Sequence, residues 1–350
     1  MSEYENLYDF QNLLKAHKRA RLGKQGKREV IDFEMNLSQN LCEMSEEIKN
    51  ESYHISGYYS FNVYEPKERT IHALHYRDRV VQHCLCDEII APLFERNLIY
   101  DNAACRKGKG TLFAIRRLSE FLRTFCREHG NKGYFLKCDI RKFFDNIDHE
   151  ILKDVLTRKI ADTQVLALCE KIIDSYETAQ GKGLPLGNQT SQWFALIYLD
   201  GFDRLCKEQL HLRFYTKYMD DMIIVHESKA YLHDCLAKMR DYAEDERKLQ
   251  FNQKTQIFPV KNGVEYLGFR FSLSKSGAVI RRLKTSSKLR YRRKLRSYMR
   301  LYRDGNIELE EIRQSLSGYH GHMKHGSTFH LKKKALSSFS LRRSDEFSEL

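Results

Sequence analysis

The sequence predicts an α+β fold in which short antiparallel strands combine with longer amphipathic helices. Runs of β-branched and aromatic residues at 214–218 and 222–225 are short and lie a few residues apart, which is typical of two strands joined by a tight turn. A similar apolar run at 134–140 predicts a further strand. Segments 78–98 and 229–249 are longer and have helical character. Both kinds of element are therefore expected in one body.

Two adjacent carboxylates, Asp220 and Asp221, lie at the tip of the predicted hairpin. Like charges this close repel each other unless a cation lies between them. A paired acid on a rigid turn therefore suggests a divalent metal site. The alternative is an Asp-rich, solvated turn, which is common in proteins.

A third acid, Asp139, ends the predicted strand 134–140. One acid at a strand end and two on a neighbouring hairpin suit two Mg²⁺ ions about 4 Å apart. Such ions activate an attacking 3′-hydroxyl and neutralise a leaving pyrophosphate. The three acids thus predict nucleotidyl transfer, while the alternative for Asp139 is a helix cap or a turn acid.

The charge of the chain favours nucleic acid as a partner. Of 350 residues, 60 are Lys or Arg and 47 are Asp or Glu, a net charge of +13. Residues 281–300 contain ten basic residues, no acidic one, and apolar residues at helical spacing. This pattern predicts a helix that packs on one side and meets polyphosphate on the other, although a solvated helix face is the alternative.

The sequence predicts a soluble, cytoplasmic protein without a membrane partner. The N-terminus is charged where a signal peptide would be apolar, and no run of 18 apolar residues occurs. The nine cysteines show no paired CxxC motif, so reduced, mostly buried thiols are expected. The histidines near the C-terminus do not form a clear four-ligand zinc set; they are His320, His322, His325 and His330.

The N-terminal third is predicted to contain helices, a hairpin and a basic loop. Residues 1–56 look helical, and their basic cluster at 17–28 is either an RNA-contacting or a solvated arm. Two strands are expected within 58–74, where Lys67 and Arg69 would share one face and suit phosphate oxygens or be ordinary surface charges. The glycine-containing loop 103–111 is basic, with Thr111 as the expected N-cap of the next helix. It does not match a Walker A sequence.

Further along the chain, loops and strands surround the predicted hairpin. The glycine-rich stretch 181–192 opens a helix, and its backbone amides could contact a nucleotide or template. Residues 251–258 and 264–271 are each predicted to form a short strand.

Four stretches, LKCDIRKFFDNI, GLPLGNQTSQ, KYMDD and EYLGFRF, resemble in order and spacing the successive motifs of reverse transcriptases. The resemblance extends over about residues 64–330. It implies a right-hand polymerase fold with fingers, an antiparallel palm sheet and a helical thumb. The implied divisions are a basic helical extension at 1–56, fingers at 57–133 with part of 141–190, palm at 134–275 and thumb at 276–350.

The resemblance also implies roles for single residues. Metal binding falls to Asp139, Asp220 and Asp221, with the Ile140 carbonyl as a further ligand of two Mg²⁺ ions, which Mn²⁺ would replace. Lys254 would protonate pyrophosphate, and Phe144 would exclude a ribose 2′-hydroxyl, so that the product is DNA. The dNTP would be bound by Lys67, Arg69, Phe144, Leu186, Gly187 and Gln192. An RNA template and a DNA or RNA primer would be bound by Arg106, Lys107, Lys109, Tyr266, Leu267, Gly268, Arg281, Arg282, Lys288, Arg292 and Arg293.

Within this family the sequence is most similar to the enzymes of diversity-generating retroelements. Leu186 stands where other families have a glutamine, and Ser191-Gln192 replaces Ser-Pro. The resemblance implies error-prone copying, notably at template adenines, and a small basic accessory protein. One alternative is an anti-phage defence reverse transcriptase that copies a dedicated non-coding RNA. A non-catalytic RNA-binding protein on a polymerase fold is the alternative of another class.

Overall fold

The computed structural model of the protein describes residues 2–64 and 68–343. Within these ranges helices are combined with three antiparallel sheets of two, four and three strands. This is the α+β class predicted from the sequence.

Residues 2–56 are helical, as predicted, and form α1 Glu5–Tyr8, α2 Phe10–Ala20, α3 Arg28–Met35 and α4 Leu37–Lys49. Asp9 caps α2, where its carboxylate accepts a backbone hydrogen bond of 2.9 Å. The basic cluster at 17–28 is held by ion pairs, Arg19 to Asp87 at 2.6 Å and Arg21 to Glu34 at 3.0 Å. The cluster is therefore partly neutralised and docked on the protein, rather than a free arm.

The next region contains β1 Tyr58–Val63, β2 Arg69–Leu74, α5 Tyr76–Leu85, a π-helical turn Cys86–Ile90, α6 Ala91–Phe94 and α7 Thr111–His129. Strands β1 and β2 pair as the predicted hairpin. The prediction for Thr111 was wrong, because Thr111 is the first residue of α7 and Gly110 is its N-cap. Gly110 has a φ of 110°, which only glycine adopts without strain.

A four-stranded sheet lies at the centre of the chain, with β3 Tyr134–Asp139, β4 Tyr215–Tyr218, β5 Asp221–His226 and β6 Gln256–Pro259 in the order β4-β5-β3-β6. The predicted hairpin is thus confirmed as β4 and β5. The strand predicted at 251–258 is shorter than expected. Phe251 forms only an isolated bridge with Ile140, and the chain turns before β6 begins.

The two faces of this sheet pack against different parts of the molecule. Leu136, Cys138, Met222 and Ile224 on one face join the core formed with the N-terminal helices and α10–α12, whose bounds are Gln189–Tyr198, Asp200–Arg204 and Lys229–Asp245. Phe135, Ile223 and Val225 on the other face pack with α7 and the C-terminal region. Because side chains alternate along a strand, Lys137, Asp139 and Asp221 share the second face.

Two helices, α8 His149–Thr157 and α9 Thr163–Asp174, precede α10, and a π-helical turn Leu205–Gln209 follows α11. Asp148 caps α8 by accepting a hydrogen bond of 3.2 Å from the Ile151 N–H. Helix α9, capped by Asp162, was not predicted. Helix α10 starts at Gln189 in the glycine-rich stretch, as expected.

The C-terminal region consists of β7 Val264–Tyr266, β8 Phe269–Leu273, β9 Val279–Leu283, α13 Thr285–Arg303, α14 Leu309–Met323 and α15 Phe329–Leu336. Two predictions need correction. Residues 264–271 form a hairpin rather than one strand, because Leu267 and Gly268 have φ values of 45° and 86°. Arg281 and Arg282 lie in β9, since the preceding Val279 and Ile280 favour a strand, and the basic helix begins at Thr285.

The described residues contain no helix that is both long and apolar enough to cross a membrane. All nine cysteines are free thiols. Six are buried and Cys42 is exposed. The prediction of mostly buried thiols is confirmed.

Candidate active site

The turn between β4 and β5 consists of only Met219 and Asp220, since Tyr218 pairs directly with Asp221. Met219 has a φ of 55°. This left-handed conformation costs a residue with a side chain about 1–3 kcal/mol and persists only where the surroundings impose it. The turn is therefore tight and held under strain.

Asp139 and Asp221 lie directly opposite each other in the antiparallel pairing of β3 with β5. Residues paired in this way have Cβ atoms about 4.5–5.5 Å apart and point to the same face. Asp220 adjoins them on the turn. The sheet thus presents all three predicted acids at one end.

The electrostatics of these acids reflect their crowding. Burial raises the pKa of Asp220 to about 6, and the charges of Asp139 and Asp221 add to the rise, while Arg69 opposes it. Burial also raises the pKa of Asp221, and the Lys137 ammonium opposes that rise. Carboxyl groups whose ionisation is opposed by burial and by each other's charge are stabilised in their ionised form by a bound cation.

The donor set fits a Mg²⁺ site of the open kind. Asp221 Oδ1 is buried without a hydrogen bond of standard geometry, although it lies 3.2 Å from Lys137 Nζ. In the part of the chain that the structure describes, no three His, Cys, Asp or Glu side chains form a compact metal cluster. The carboxylates are therefore not a closed chelate, and Mg²⁺ bound there would complete its shell with water and substrate phosphates.

The Ile140 carbonyl, a predicted ligand, accepts no hydrogen bond from any described residue. Its neighbours are engaged instead, because the Asp139 carbonyl accepts from Asn252 at 2.7 Å and the Arg141 N–H donates to Gln250 at 2.8 Å. The Ile140 carbonyl oxygen thus remains available to a ligand.

Of the two predicted phosphate-binding residues on the hairpin of β1 and β2, Arg69 is exposed at the start of β2. Its charge acts on Asp220, so it lies near the acids. Lys67 falls outside the described residues. The backbone turn that contains Lys254 lies next to Asp139, and Lys254 itself is exposed.

Phe144 follows Asp139 in a single 3₁₀ turn, Phe144–Asn146, and is half-buried. Its ring packs edge-on against Phe143, with centroids 5.5 Å apart. Phe143 is 2% exposed and belongs to the core. The two adjacent aromatics therefore differ, and Phe144 alone keeps part of its ring accessible.

The glycine-rich stretch comes close to β2. Gly187 is exposed with a φ of 109°, and a Cβ atom there would lie 3.0 Å from Ile71 Cγ2. Leu186 is half-buried, and Gln192 accepts a hydrogen bond of 2.9 Å from the Cys105 thiol. A cavity of about 350 Å³ opens beside these residues, and its lining includes Lys24, Arg79, Gly187 and Gln192.

Most cations of the basic loop at 103–111 form contacts within the protein. Arg106 has a side chain only 6% exposed, pairs with Glu95 at 2.9 Å and donates to the Ile99 carbonyl at 2.6 Å. Lys109 donates to the Tyr100 carbonyl, and burial lowers its pKa to about 8. Lys107 is the exposed member of the predicted set. The expectation of nucleic-acid contact therefore needs correction for Arg106, whose charge is satisfied internally.

Three of the residues predicted to bind template or primer, Tyr266, Leu267 and Gly268, lie at or beside the turn between β7 and β8. The Tyr266 side chain is 1% exposed and belongs to the core, so only Leu267 and Gly268 are partly accessible. A Cβ atom at Gly268 would lie 2.9 Å from His322 Nε2. His322 also packs on the Phe269 ring at 4.7 Å. The turn is thus supported from behind by α14.

The cations of α13 face two sides. A groove of about 700 Å³ lies between α13 and Tyr64, and its lining includes Leu289, Arg290 and Arg293. Arg292 lines another groove, of about 440 Å³, shared with α15. The adjacent Arg292 and Arg293 therefore point to different surfaces. Of the other predicted cations, Arg282 is exposed and Lys288 and Arg281 are half-buried.

Two residues near the acids were not singled out from the sequence. Lys137 contacts Asp221. It lies two residues before Asp139 on the same strand, and since such residues point to the same face, the sequence could have placed Lys137 beside the acids. Lys217 lies two residues before the turn and is fully buried. No sequence pattern distinguishes a buried lysine from an exposed one.

An α+β molecule with three acids at one end of an antiparallel sheet has the features of a right-hand nucleic acid polymerase. Residues 64–271, more than half of the chain, match the family described as reverse transcriptase (RNA-dependent DNA polymerase). The chain belongs to this reverse transcriptase family and is an RNA-directed DNA polymerase by class. The fold predicted from the sequence is confirmed.

Individual relatives are distant. Protein YkfC of Escherichia coli (strain K12) is 25% identical over 273 residues, which cover 63% of this chain and 70% of YkfC. A putative COX1/OXI3 intron 2 protein of Saccharomyces cerevisiae is 23% identical over 152 residues, which cover 41% of this chain and 17% of that protein. Telomerase from Candida albicans, solved with a TWJ fragment of telomeric RNA, aligns with 13% identity and a TM-score of 0.47. That alignment covers 65% of this chain, which spans 45% of the telomerase chain.

Proposed function

We propose that this polymerase copies an RNA template into complementary DNA, using dNTPs and a DNA or RNA primer. The pairing of Asp139 with Asp221, with Asp220 on the adjoining turn, carries the proposal. Three acids on a rigid sheet end are suited to nucleotidyl transfer with two metal ions.

Asp139, Asp220, Asp221 and the Ile140 carbonyl would hold two Mg²⁺ ions, which Mn²⁺ would replace. These ions supply activation of the primer 3′-hydroxyl and neutralisation of the leaving pyrophosphate. The protein contributes position, because Asp139 and Asp221 are fixed by the register of β3 and β5. The exposed ammonium of Lys254, on the turn beside Asp139, would donate a proton to the pyrophosphate.

The incoming dNTP would lie between the hairpin of β1 and β2 and the acids. Arg69, whose charge reaches Asp220, would bind the triphosphate together with Lys67. The accessible part of Phe144 would contact the sugar, and Leu186, Gly187 and Gln192 would contact the base pair. The close approach of Gly187 to β2 supports a narrow passage at this point.

The nucleic acid would occupy the groove between Tyr64 and α13, where Arg290 and Arg293 can contact phosphates. Lys24 and Arg79 beside Gly187 would contact the template. On this basis the chain divides into an N-terminal extension at 1–56, fingers at 57–133 with part of 141–190, palm at 134–275 and thumb at 276–350.

We further propose that the protein is a retroelement enzyme of the diversity-generating type and copies with many errors. The support is Leu186, an apolar side chain that offers no hydrogen bond where a glutamine would position the incoming nucleotide. A small basic accessory protein would then be the partner. The competing assignment is a phage-defence enzyme dedicated to one non-coding RNA.

Substitution of the acids tests the polymerase activity. Asp220→Ala and Asp221→Ala should abolish dNTP incorporation on an RNA template while RNA affinity is retained. Asp241→Ala, an exposed acid on α12, is the matched control and should remain active. Incorporation at the control rate by both active-site variants would refute the proposed site.

Sequencing of cDNA made by the purified enzyme from co-purified host RNA tests the biological assignment. Products from a protein-coding repeat, with errors at template adenines, would support diversity generation, and Leu186→Gln should then reduce those errors. Faithful copies of one small structured RNA would instead favour the defence assignment.

A further inference from the structure

Lys217 and Asp203 form a buried ion pair to which the roles above assign nothing. Both side chains are 0% exposed, and Lys217 Nζ lies 2.7 Å from Asp203 Oδ2. Asp203 also accepts hydrogen bonds from the Tyr215 hydroxyl at 2.6 Å and from Asn102 Nδ2 at 3.3 Å. Because both charges lose their hydration, such a pair is often no more stabilising than apolar residues of the same size. Stability alone is therefore a weak reason for it.

The pair joins the hairpin to the body of the protein. Asp203 lies on α11, while Lys217 lies in β4, the edge strand of the central sheet. The backbone of Lys217 is held as well, because its N–H donates to the Asp101 carbonyl at 3.1 Å and its carbonyl accepts from Ala103 at 3.0 Å. Side chain and backbone together fix β4 along its own direction.

The position of β4 determines the position of the acid-bearing turn. Met219, two residues after Lys217, has a φ of 55°, and Asp220 follows at once. A strained turn keeps its shape only when its surroundings hold it. Any slip of β4 against β5 would displace Asp220 from Asp139 and Asp221.

We propose that the ion pair between Lys217 and Asp203 is a positioning element for polymerisation. It fixes where β4 lies along β5 and therefore where the turn holds Asp220. This inference rests on the proposed polymerase function. Neither residue touches substrate. Their effect is transmitted through the two residues between Lys217 and Asp220.

A double substitution separates positioning from stability. Lys217→Met alone leaves the Asp203 carboxylate buried and unpaired, which is strongly destabilising. Lys217→Met with Asp203→Asn removes both charges at similar volume, keeps an acceptor for the Tyr215 hydroxyl, and should melt near the wild-type temperature. Its single-turnover dNTP addition should nevertheless fall about 100-fold, as for an active-site displacement of about 1 Å. Template–primer affinity and the KM for dNTP should not change.

Mn²⁺ binding without substrate, followed by electron paramagnetic resonance, gives a readout other than activity. The double variant should bind Mn²⁺ more weakly than the wild type. Wild-type rate and wild-type Mn²⁺ affinity in a stable double variant would overturn the proposal. An inactive wild type would instead count against the proposed function, so the two failures are distinguishable.

Two single variants complete the test. Tyr53→Phe removes a buried hydrogen bond of 2.8 Å to Asp78, which lies outside the hairpin of β4 and β5, and should change stability without changing the rate of dNTP addition. If the double variant does not fold, Asp203→Asn alone carries the test, since it removes the charge that pairs with Lys217 and keeps an amide oxygen to accept the Tyr215 hydrogen bond. A several-fold lower rate at unchanged duplex affinity would support positioning, and an unchanged rate would overturn it.

Discussion

The Lys137 ammonium lies 3.2 Å from Asp221 Oδ1 and donates a hydrogen bond of 2.7 Å to the Glu265 carbonyl. It thereby connects the acids of the central sheet to β7. The Glu265 carboxylate in turn pairs with Lys284 at 2.7 Å, directly before α13. A chain of polar contacts thus runs from Asp221 to the base of the basic helix.

Lys137→Met should shift the acid limb of the pH–rate profile to higher pH, because loss of the nearby positive charge raises the pKa of Asp221 further. The rate of dNTP addition at fixed Mg²⁺, measured across pH, checks this expectation. Lys132→Met, an exposed lysine just before β3, is the matched control. An identical acid limb of the pH–rate profile in the wild type, Lys137→Met and Lys132→Met would show that Lys137 does not act on Asp221.

Asp220→Asn should stabilise the metal-free protein at neutral pH. The pKa of Asp220 rises from an ordinary 3.8 to about 6 in the folded state, so ionisation of Asp220 reduces wild-type stability as pH rises through about 6. Removing this cost should raise the free energy of unfolding by about 1–3 kcal/mol at neutral pH, and the gain should vanish below the unfolded-state pKa. Urea denaturation in EDTA at both pH values measures it. A gain that persists in acid would argue against this origin.

Phe144→Ala should admit ribonucleotides, because the partly accessible ring is the proposed obstacle to a 2′-hydroxyl. The ratio of kcat/KM for dNTP to that for the matching rNTP should fall, with the rate for dNTP largely retained. Phe143→Ala tests the neighbouring buried ring and should lower stability instead. Unchanged sugar selectivity in Phe144→Ala would make Phe144 a core residue.

Arg293→Ala and Arg292→Ala form a matched pair on two surfaces of α13. If the groove beside Tyr64 holds the template–primer duplex, Arg293→Ala should reduce the salt dependence of duplex binding by about one unit in log–log slope. Arg292→Ala should leave that slope unchanged. Fluorescence anisotropy at several salt concentrations provides the measurement, and equal slopes for both variants would contradict this orientation of the helix.

Local pattern was enough to predict the hairpin that carries Asp220 and Asp221. Its strands are short runs rich in β-branched and aromatic residues, and the gap of a few residues between them is typical of a tight turn. The same reasoning failed at 264–271, where Leu267 occupies a turn position with positive φ that a leucine rarely takes. The signal available there was Gly268, an isolated glycine inside a strand pattern, which is typical of a break or tight bend.

Burial and pairing are the other features that sequence could not supply. From the sequence, Arg106 is expected to be a surface cation, whereas in the fold its side chain is buried and pairs with Glu95. Lys217 reads as part of a strand, and its partner Asp203 lies fourteen residues earlier on a short helix. Such roles depend on tertiary contacts, which charge patterns along one chain do not encode.

The distribution of thiols makes the protein convenient for spectroscopy. Cys42 on α4 is exposed, whereas burial raises the pKa of Cys105 to about 11 and that of Cys169 to about 12. Maleimides react with thiolates, so a dye added near neutral pH would attach preferentially at Cys42. Because Cys126 is only half-buried, Cys126→Ser would leave Cys42 as the preferred site, and a single fluorophore on α4 would then report the docking of partner molecules on the N-terminal helices.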